Sequence, residues 1–225
     1  MMDETVSAAC TLLANELRSE FDVRFEALLV SGSHAYGTPR RGSDVDVQLV
    51  ARGANLARQM RIAHGYTFDL WVSTYERLLD RIQARDGPML KLLGGSVAVT
   101  DASERVLDLV RMARERFEDG PGALSPGQQT LMRIQLMNKI RDLTERDFTS
   151  PAGRYVVVAS MTKAVELALG IANRYRTKHV IDFEEIGAFD PKLQQQLTRA
   201  LEASADCAPR ELRRFLEVLL HWLSE

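Results

Sequence analysis

Residues 29–47 read LVSGSHAYGTPRRGSDVDV and join a turn of small residues to a closely spaced pair of carboxylates. The apolar run over residues 25–30 leads into this turn and predicts a buried strand. Gly32 has no Cβ, so a phosphate can approach the backbone N–H groups around it, and Ser33 adds a hydroxyl donor. The stretch therefore predicts a strand followed by a phosphate-binding turn.

The segment after the turn alternates polar and apolar residues over positions 44–50. A strand with this pattern places Asp44, Asp46 and Gln48 on one face and its apolar residues on the other. Two carboxylates on one strand face repel each other unless a cation lies between them, and Mg²⁺, which prefers oxygen ligands, fits that position. Asp69 is the only charged residue in a second predicted strand, residues 66–72, and we expect it to enter the same site. There it would hold a second ion or accept the proton of an attacking hydroxyl.

Taken together, Gly32-Ser33, Asp44-Val45-Asp46 and the later Asp69 resemble the signature of the polymerase-β-like nucleotidyltransferase superfamily. Within it, the short catalytic half and helical second half are most similar to small-molecule transferases of the aminoglycoside and lincosamide type, and to minimal antitoxin-type transferases. Such enzymes move a nucleoside monophosphate from an NTP to a hydroxyl and release pyrophosphate. The resemblance implies that Gly32 and Ser33 bind the β- and γ-phosphates, that Asp44 and Asp46 ligate both metal ions, and that Asp69 is the third carboxylate.

Basic residues near the motif and in the second half are further candidates for nucleotide binding. Many small-molecule transferases carry a basic residue where this chain has Tyr36, so Arg40 and Arg41 are candidates for the phosphate contacts, with solvent-facing loop charges as the alternative. Lys163 and Glu166 lie three residues apart on one helix face, and a surface ion pair is the simplest interpretation. By the resemblance, they are also candidates for a phosphate-binding lysine and a general base from the helical domain.

Two other polar groups receive a structural interpretation. His34, beside the turn, is expected to cap a helix or to face solvent, with a role in the site as the alternative. A polar cluster near a predicted helix end is interpreted as a solvated terminus, with contact to the acceptor or base as the alternative; its members are Tyr175, Arg176, Lys178 and His179.

Apolar periodicity and capping residues define the remaining elements. The spacing predicts a helix over residues 6–17, a further helix over 55–63 and a short edge strand over 97–100. Helix-start signals then recur at Asp101, Ser125-Pro126, Ser150-Pro151, Asp190-Pro191 and Pro209. The predicted fold class is α/β, with a small mixed-sheet nucleotidyltransferase domain in residues 1–100 and an all-α helical bundle domain in residues 101–225. We expect the second domain to bind acceptor and nucleotide, with the active site in the cleft between the domains.

Composition limits the classes of partner. A net charge of −2 and a pI near 6.1 argue against a surface that coats nucleic acid, so a nucleic-acid partner is not favoured. Cys10 and Cys207 lie at opposite ends of the sequence and are interpreted as free thiols. The sequence shows neither a secretory signal at its start nor an apolar stretch long enough to span a bilayer, so we expect a cytoplasmic protein without a membrane partner.

The function expected from these features is Mg²⁺-dependent nucleotidyl transfer. The cofactors are two Mg²⁺ ions, the donor is an NTP, most often ATP, and the acceptor is a small molecule that bears a hydroxyl. A protein or tRNA acceptor is the alternative within the same chemistry. A non-catalytic nucleotide-binding module is the alternative outside it, although pure binding does not need three carboxylates. The sequence leaves the base specificity and the oligomeric state open, a homodimer included.

Overall fold

The protein is described by a computed structural model that covers residues 2–99, 101–145, 148, 150–176, 179–203 and 207–224. The chain divides into two compact units, Met1–Asp119 and Gly120–Glu225. The first unit is α/β and the second is helical throughout its described elements, so the predicted fold class is confirmed.

The first unit combines strands and helices in the chain order α1 (Glu4–Phe21), β1 (Phe25–Ser31), α2 (Gly32–Tyr36), β2 (Val45–Ala51), β3 (Ala57–Ala63), β4 (Tyr66–Ser73), α3 (Tyr75–Gln83), α4 (Gly87–Gly94), β5 (Val97–Ala98) and α5 (Glu104–Glu118). Within the described residues, the strands form one five-stranded sheet in the order β3-β4-β2-β1-β5. β2 and β4 are parallel, whereas the other neighbouring pairs are antiparallel, which gives the predicted mixed sheet.

Helix α1 covers one face of this sheet. Asp3 caps its N-terminus by accepting hydrogen bonds from the backbone N–H groups of Thr5 and Val6. Leu13 and Leu17, fully buried on the inner side of α1, pack in one apolar cluster with β1, β2 and β4. Polar and apolar residues alternate along β2. Its apolar residues pack in this cluster, so its polar residues lie on the opposite face of the sheet.

The helix predicted for residues 55–63 is wrong, because the structure has strand β3 there. Residues 57–63 pair antiparallel with β4, from Ala57 opposite Val72 to Ala63 opposite Tyr66. The two residues between the strands, His64 and Gly65, both have positive φ angles of 51° and 80°. A two-residue turn with this backbone matches the twist of a hairpin and therefore favours strand pairing on both sides.

Helices α2 and α4 were not predicted. α2 follows β1 without a loop, and α4 begins after Asp86, whose carboxylate accepts a hydrogen bond from the N–H of Met89. The predicted edge strand is present as β5, and its last predicted residue, Thr100, lies outside the described residues. Helix α5 packs on α4 and α3, so it belongs to the first compact unit, although the sequence analysis placed it after the boundary at residue 100.

The second unit contains α6 (Pro126–Glu145), α7 (Pro151–Ile171), α8 (His179–Phe189), α9 (Pro191–Glu202) and α10 (Ala208–Trp222). Ser150 and Asp190 cap α7 and α9 through their side chains, so these predicted starts are confirmed. One apolar cluster fills this unit, with Phe215 of α10 fully buried in it. Among the described residues, no helix combines the length and the hydropathy that a bilayer span requires.

Both cysteines are free, as predicted from their positions in the sequence. Cys10 is buried in α1, and burial raises the pKa of its thiol to about 11. The neutral thiol therefore acts as a small apolar group in the core.

The neighbouring residues Leu12 and Leu13 test the orientation of α1. Leu13 is fully buried, whereas Leu12 is 51% exposed. We expect Leu13→Ala to lower the free energy of unfolding by about 2–5 kcal/mol, because it leaves a cavity, and Leu12→Ala to change it by about 0.5 kcal/mol or less. Urea denaturation followed by circular dichroism measures both; equal effects would contradict the packing of α1 on the sheet.

Candidate active site

The register of the sheet brings the predicted carboxylates together. Asp46 on β2 lies directly opposite Asp69 on the parallel strand β4, and opposite Ser31, the last residue of β1. Residues opposite one another in a ladder project from the same face, so the two carboxylates leave the sheet side by side. Asp44 immediately precedes β2 and completes the group.

The three carboxylates have the spacing of a divalent-cation site. Each carboxylate contributes one oxygen to a group in which all three oxygens lie within 4.8 Å of one another; the residues are Asp44, Asp46 and Asp69. Oxygen ligands about 2.1 Å from Mg²⁺ stand roughly 3–4 Å apart, so small side-chain adjustments suffice to close the site around an ion. Asp44 is exposed, Asp46 is half-buried and Asp69 is buried. The cluster therefore opens to solvent on the side of Asp44, where a ligand can add its own oxygens.

Gly32 lies against this cluster, at the start of α2. Its φ angle is +66°, and a Cβ placed there would lie 2.1 Å from Oδ2 of Asp46. A side chain at this position would therefore collide with the carboxylate and would also strain the backbone. Ser33 follows in the same short helix and is half-buried. Glycine at position 32 thus allows the turn to lie close to the carboxylate of Asp46.

Buried polar contacts support the turn. The hydroxyl of Ser31 lies 2.6 Å from that of Ser96, which in turn donates to the carbonyl oxygen of Leu92. His34 is only 7% exposed, and its Nε2 lies 3.3 Å from the carbonyl oxygen of Ser43. The expectation that His34 faces solvent is therefore wrong: the ring links α2 to the residue just before Asp44.

Arg58 is the prominent charged residue at the site that the sequence analysis missed. Its Nε donates to Oδ1 of Asp69 at 3.0 Å, and its Nη2 donates to Oδ2 at 2.8 Å. The guanidinium also stacks on Trp71, with 4.5 Å between its carbon and the ring centroid. Arg58 lies on β3, which was predicted as a helix, so its proximity to Asp69 was not foreseen. The His64-Gly65 turn was the signal for the hairpin that places it there.

The hydrogen-bonded pair of Arg58 and Asp69 shifts the pKa of both partners. Hydrogen bonds from Arg58 lower the pKa of the Asp69 carboxyl, and a hydrogen bond from the side chain of Trp71 acts in the same direction, whereas burial opposes them. The hydrogen bond to Asp69 raises the pKa of Arg58, with smaller contributions from the negative charges of Asp46 and Asp44. Asp69 is therefore ionised at neutral pH, the state in which it can bind a cation.

Arg40 and Arg41 lie in the exposed loop before Asp44. A tight turn shapes this loop: the N–H of Ser43 donates to the carbonyl oxygen of Arg40 at 3.0 Å, and Gly42 has a φ angle of +80°. Both arginines are thus only a few residues from the carboxylates, with exposed side chains. Their contact with phosphate remains a prediction.

Lys163 and Glu166 form the predicted ion pair on α7 in the helical unit. Glu166 also accepts a hydrogen bond from Nη1 of Arg176 at 3.2 Å, and Nε of Arg176 lies 3.8 Å from the fully buried Asp182. These contacts connect α7 to the chain that follows it, so the ion pair is part of a larger network. A role in nucleotide binding or as a base remains a prediction.

The network also changes the interpretation of the polar cluster that follows α7. Tyr175 is 8% exposed and Arg176 is half-buried, so this part of the cluster is not a solvated terminus. Lys178 lies outside the described residues, as does the side chain of His179.

Comparison with known proteins supports the fold. No protein-family model and no curated protein matches the sequence. Among solved structures, the chain is similar to a nucleotidyltransferase-like protein from Exiguobacterium sibiricum 255-15, with a TM-score of 0.50 and 11% identity, over 96% of this chain and 74% of that one. At this level of identity the similarity concerns the fold, and the chemistry must be argued from the carboxylates of this chain.

Gly32→Ala tests the close approach of the turn to Asp46, with Gly53→Ala as the matched control. Both glycines have positive φ angles, +66° and +57°, but a Cβ at Gly53 meets no atom within 4 Å. We expect Gly53→Ala to lower the free energy of unfolding by about 1–2 kcal/mol through backbone strain alone. Gly32→Ala should cost at least about 1 kcal/mol more and weaken Mn²⁺ binding, because Asp46 must move. Urea denaturation and Mn²⁺ titration measure these effects; identical behaviour of the two variants would contradict the contact.

Proposed function

We propose that this protein is a Mg²⁺-dependent nucleotidyltransferase that moves a nucleoside monophosphate from an NTP, with ATP as the preferred donor, to the hydroxyl of a small molecule. The observation that carries the proposal is the grouping of three carboxylates, two on adjacent strands and Asp44 just before β2, beside a glycine whose missing Cβ leaves room for the Asp46 carboxylate. The nucleotidyltransferase-like fold supports it.

The reaction joins the acceptor oxygen to the α-phosphorus of the NTP and breaks the bond between that phosphorus and the oxygen that leaves with pyrophosphate. The hydroxyl proton is released as the new ester bond forms. Both the approach of the hydroxyl and the departure of pyrophosphate place negative charge in one region, so the site must supply positive charge there. When bound, Mg²⁺ ions supply that charge and lower the pKa of the hydroxyl.

Each carboxylate has a distinct role in this proposal. Asp44 and Asp46 would hold both ions, and Asp44 lies on the solvent-exposed side where a ligand can add oxygens. Asp69 would hold a second ion or would accept the hydroxyl proton. Its buried position keeps it fixed in relation to Asp46, which suits a group that must orient the attacking oxygen.

The donor phosphates are assigned to the turn and to nearby basic groups. The backbone at Gly32 and the hydroxyl of Ser33 contact the β- and γ-phosphates, and Arg40 and Arg41 supply charge from the adjoining loop. From the helical unit, Lys163 is proposed as a further phosphate contact. Glu166 is a candidate general base for the acceptor hydroxyl, although its hydrogen bond to Arg176 favours a structural role.

Asp46→Asn tests the catalytic assignment, with Asp108→Asn on α5 as its control. Asp108 is a surface carboxylate paired with Arg111, so both substitutions remove one negative charge. Loss of a metal ligand removes several kcal/mol of transition-state stabilisation, and we expect Asp46→Asn to reduce Mg²⁺-dependent pyrophosphate release from ATP by about a hundredfold or more. Asp108→Asn should retain the wild-type rate. Full activity of Asp46→Asn would remove this residue from the mechanism.

The class of acceptor is tested by following label from α-³²P-ATP. The protein is incubated with Mg²⁺ and a panel of hydroxyl-bearing small molecules, aminoglycosides included, and in parallel with a cell lysate. We expect label in a small-molecule product and none without Mg²⁺. Label confined to the high-molecular-weight fraction would instead indicate a protein or tRNA acceptor. Nucleotide binding without any labelled product would indicate a non-catalytic module.

A further inference from the structure

Arg58 occupies both oxygens of Asp69, and those oxygens are the atoms that a cation needs. The two hydrogen bonds, from Nε to Oδ1 at 3.0 Å and from Nη2 to Oδ2 at 2.8 Å, form a bidentate pair. An oxygen of this same carboxylate lies within 4.8 Å of oxygens from Asp44 and Asp46. A guanidinium and a metal ion on the same carboxylate repel each other, because both are positively charged, and they therefore compete for Asp69.

The two partners differ in how easily each can leave the pair. The Arg58 side chain is 60% exposed, so its guanidinium can leave Asp69 and form hydrogen bonds with water instead. The Asp69 side chain is only 3% exposed, so its charge cannot be left without a partner. Exchange of Arg58 for another cation is therefore the favourable way to release this carboxylate.

The arrangement of strands holds Arg58 in place until that exchange. Arg58 lies opposite Trp71 in the ladder between β3 and β4, while Met60 lies opposite Asp69. The guanidinium thus reaches along the sheet over Trp71, on which it stacks at 4.5 Å. The stacking contact lies outside the carboxylate group, so Arg58 can keep it after releasing Asp69.

From this geometry we propose that Arg58 is a positioning residue that acts as a built-in counterion. It neutralises and orients Asp69 in the free protein, and cation binding at the three carboxylates displaces it. The proposal rests on the proposed function only in that the three carboxylates form a cation site. It gives Arg58 a role distinct from phosphate binding, because its charge is engaged by Asp69 before a nucleotide arrives.

Mn²⁺ titration of the full-length protein without nucleotide tests the proposal, with free Mn²⁺ measured by electron paramagnetic resonance. Competition predicts that Arg58→Gln binds Mn²⁺ about tenfold more tightly than the wild type, because a charged hydrogen-bond partner no longer has to be displaced. Arg58→Lys should fall between the two, since it keeps the charge but cannot bind both oxygens. A residue that merely supports the site would produce unchanged or weaker binding when removed, and that result would overturn the proposal.

Arg61→Gln is the matched control. Arg61 lies on the same strand and its Nη2 is 3.1 Å from Oε2 of Glu20, so the variant also removes one arginine paired with a carboxylate. Its Mn²⁺ affinity should equal that of the wild type. An increase in affinity equal to that of Arg58→Gln would show that the effect is only one of net charge and would overturn the proposal.

Asp46→Asn separates this inference from the proposed function. If the wild type and Arg58→Gln bind no Mn²⁺ that depends on Asp46, the cation site fails, and both proposals fail with it. If Asp46-dependent binding is present but Arg58→Gln binds no more tightly, only the role of Arg58 is refuted. Thermal unfolding of each variant verifies that it is folded, and Arg58→Lys gives the decisive comparison if Arg58→Gln does not fold.

Discussion

The pairing of β2 with β4 determines the site, because it places Asp46 directly opposite Asp69. Like charges at opposite positions of a ladder are unfavourable, and the cost rises when one of them is buried, as Asp69 is. A register with two facing carboxylates is stable only if positive charge is close. In the free protein Arg58 supplies part of that charge, and in the proposed function bound Mg²⁺ ions would supply it.

The site combines a buried, well-packed side with a side that is open to solvent, and the proposed transfer reaction needs both. The apolar cluster under α1 fixes the strands from one face, so the carboxylates on the other face are held by a rigid sheet. Asp69 is buried and Asp44 is exposed, which leaves one side of the site open to solvent and to a ligand. The absence of a side chain at Gly32 allows the turn to approach the same point. Rigid ligands and an accessible phosphate-binding turn are the two requirements of the proposed reaction.

Local sequence patterns were sufficient to predict the carboxylates and the fold class. Alternation along residues 44–50 indicated the strand, and Asp69 was recognisable as a lone charge in an apolar segment. Caps at Ser150 and Asp190 marked helices correctly, because capping depends on residues close in sequence.

Features that depend on long-range contacts were not predictable in this way. β3 is an edge strand with most of its residues exposed, so it lacks the apolar pattern of a core strand. Arg58 was missed with it, since its role depends on strand pairing. The steric constraint at Gly32 arises from a neighbouring strand, so the local sequence does not indicate it.

Crystals grown with Mn²⁺ and a non-hydrolysable ATP analogue, measured by anomalous diffraction at the manganese edge, test whether the carboxylates bind a divalent cation. We expect an anomalous peak bonded to Asp44, Asp46 and the analogue's phosphates, with Asp69 released from Arg58. A fully occupied analogue with no metal at these carboxylates would refute the cation site.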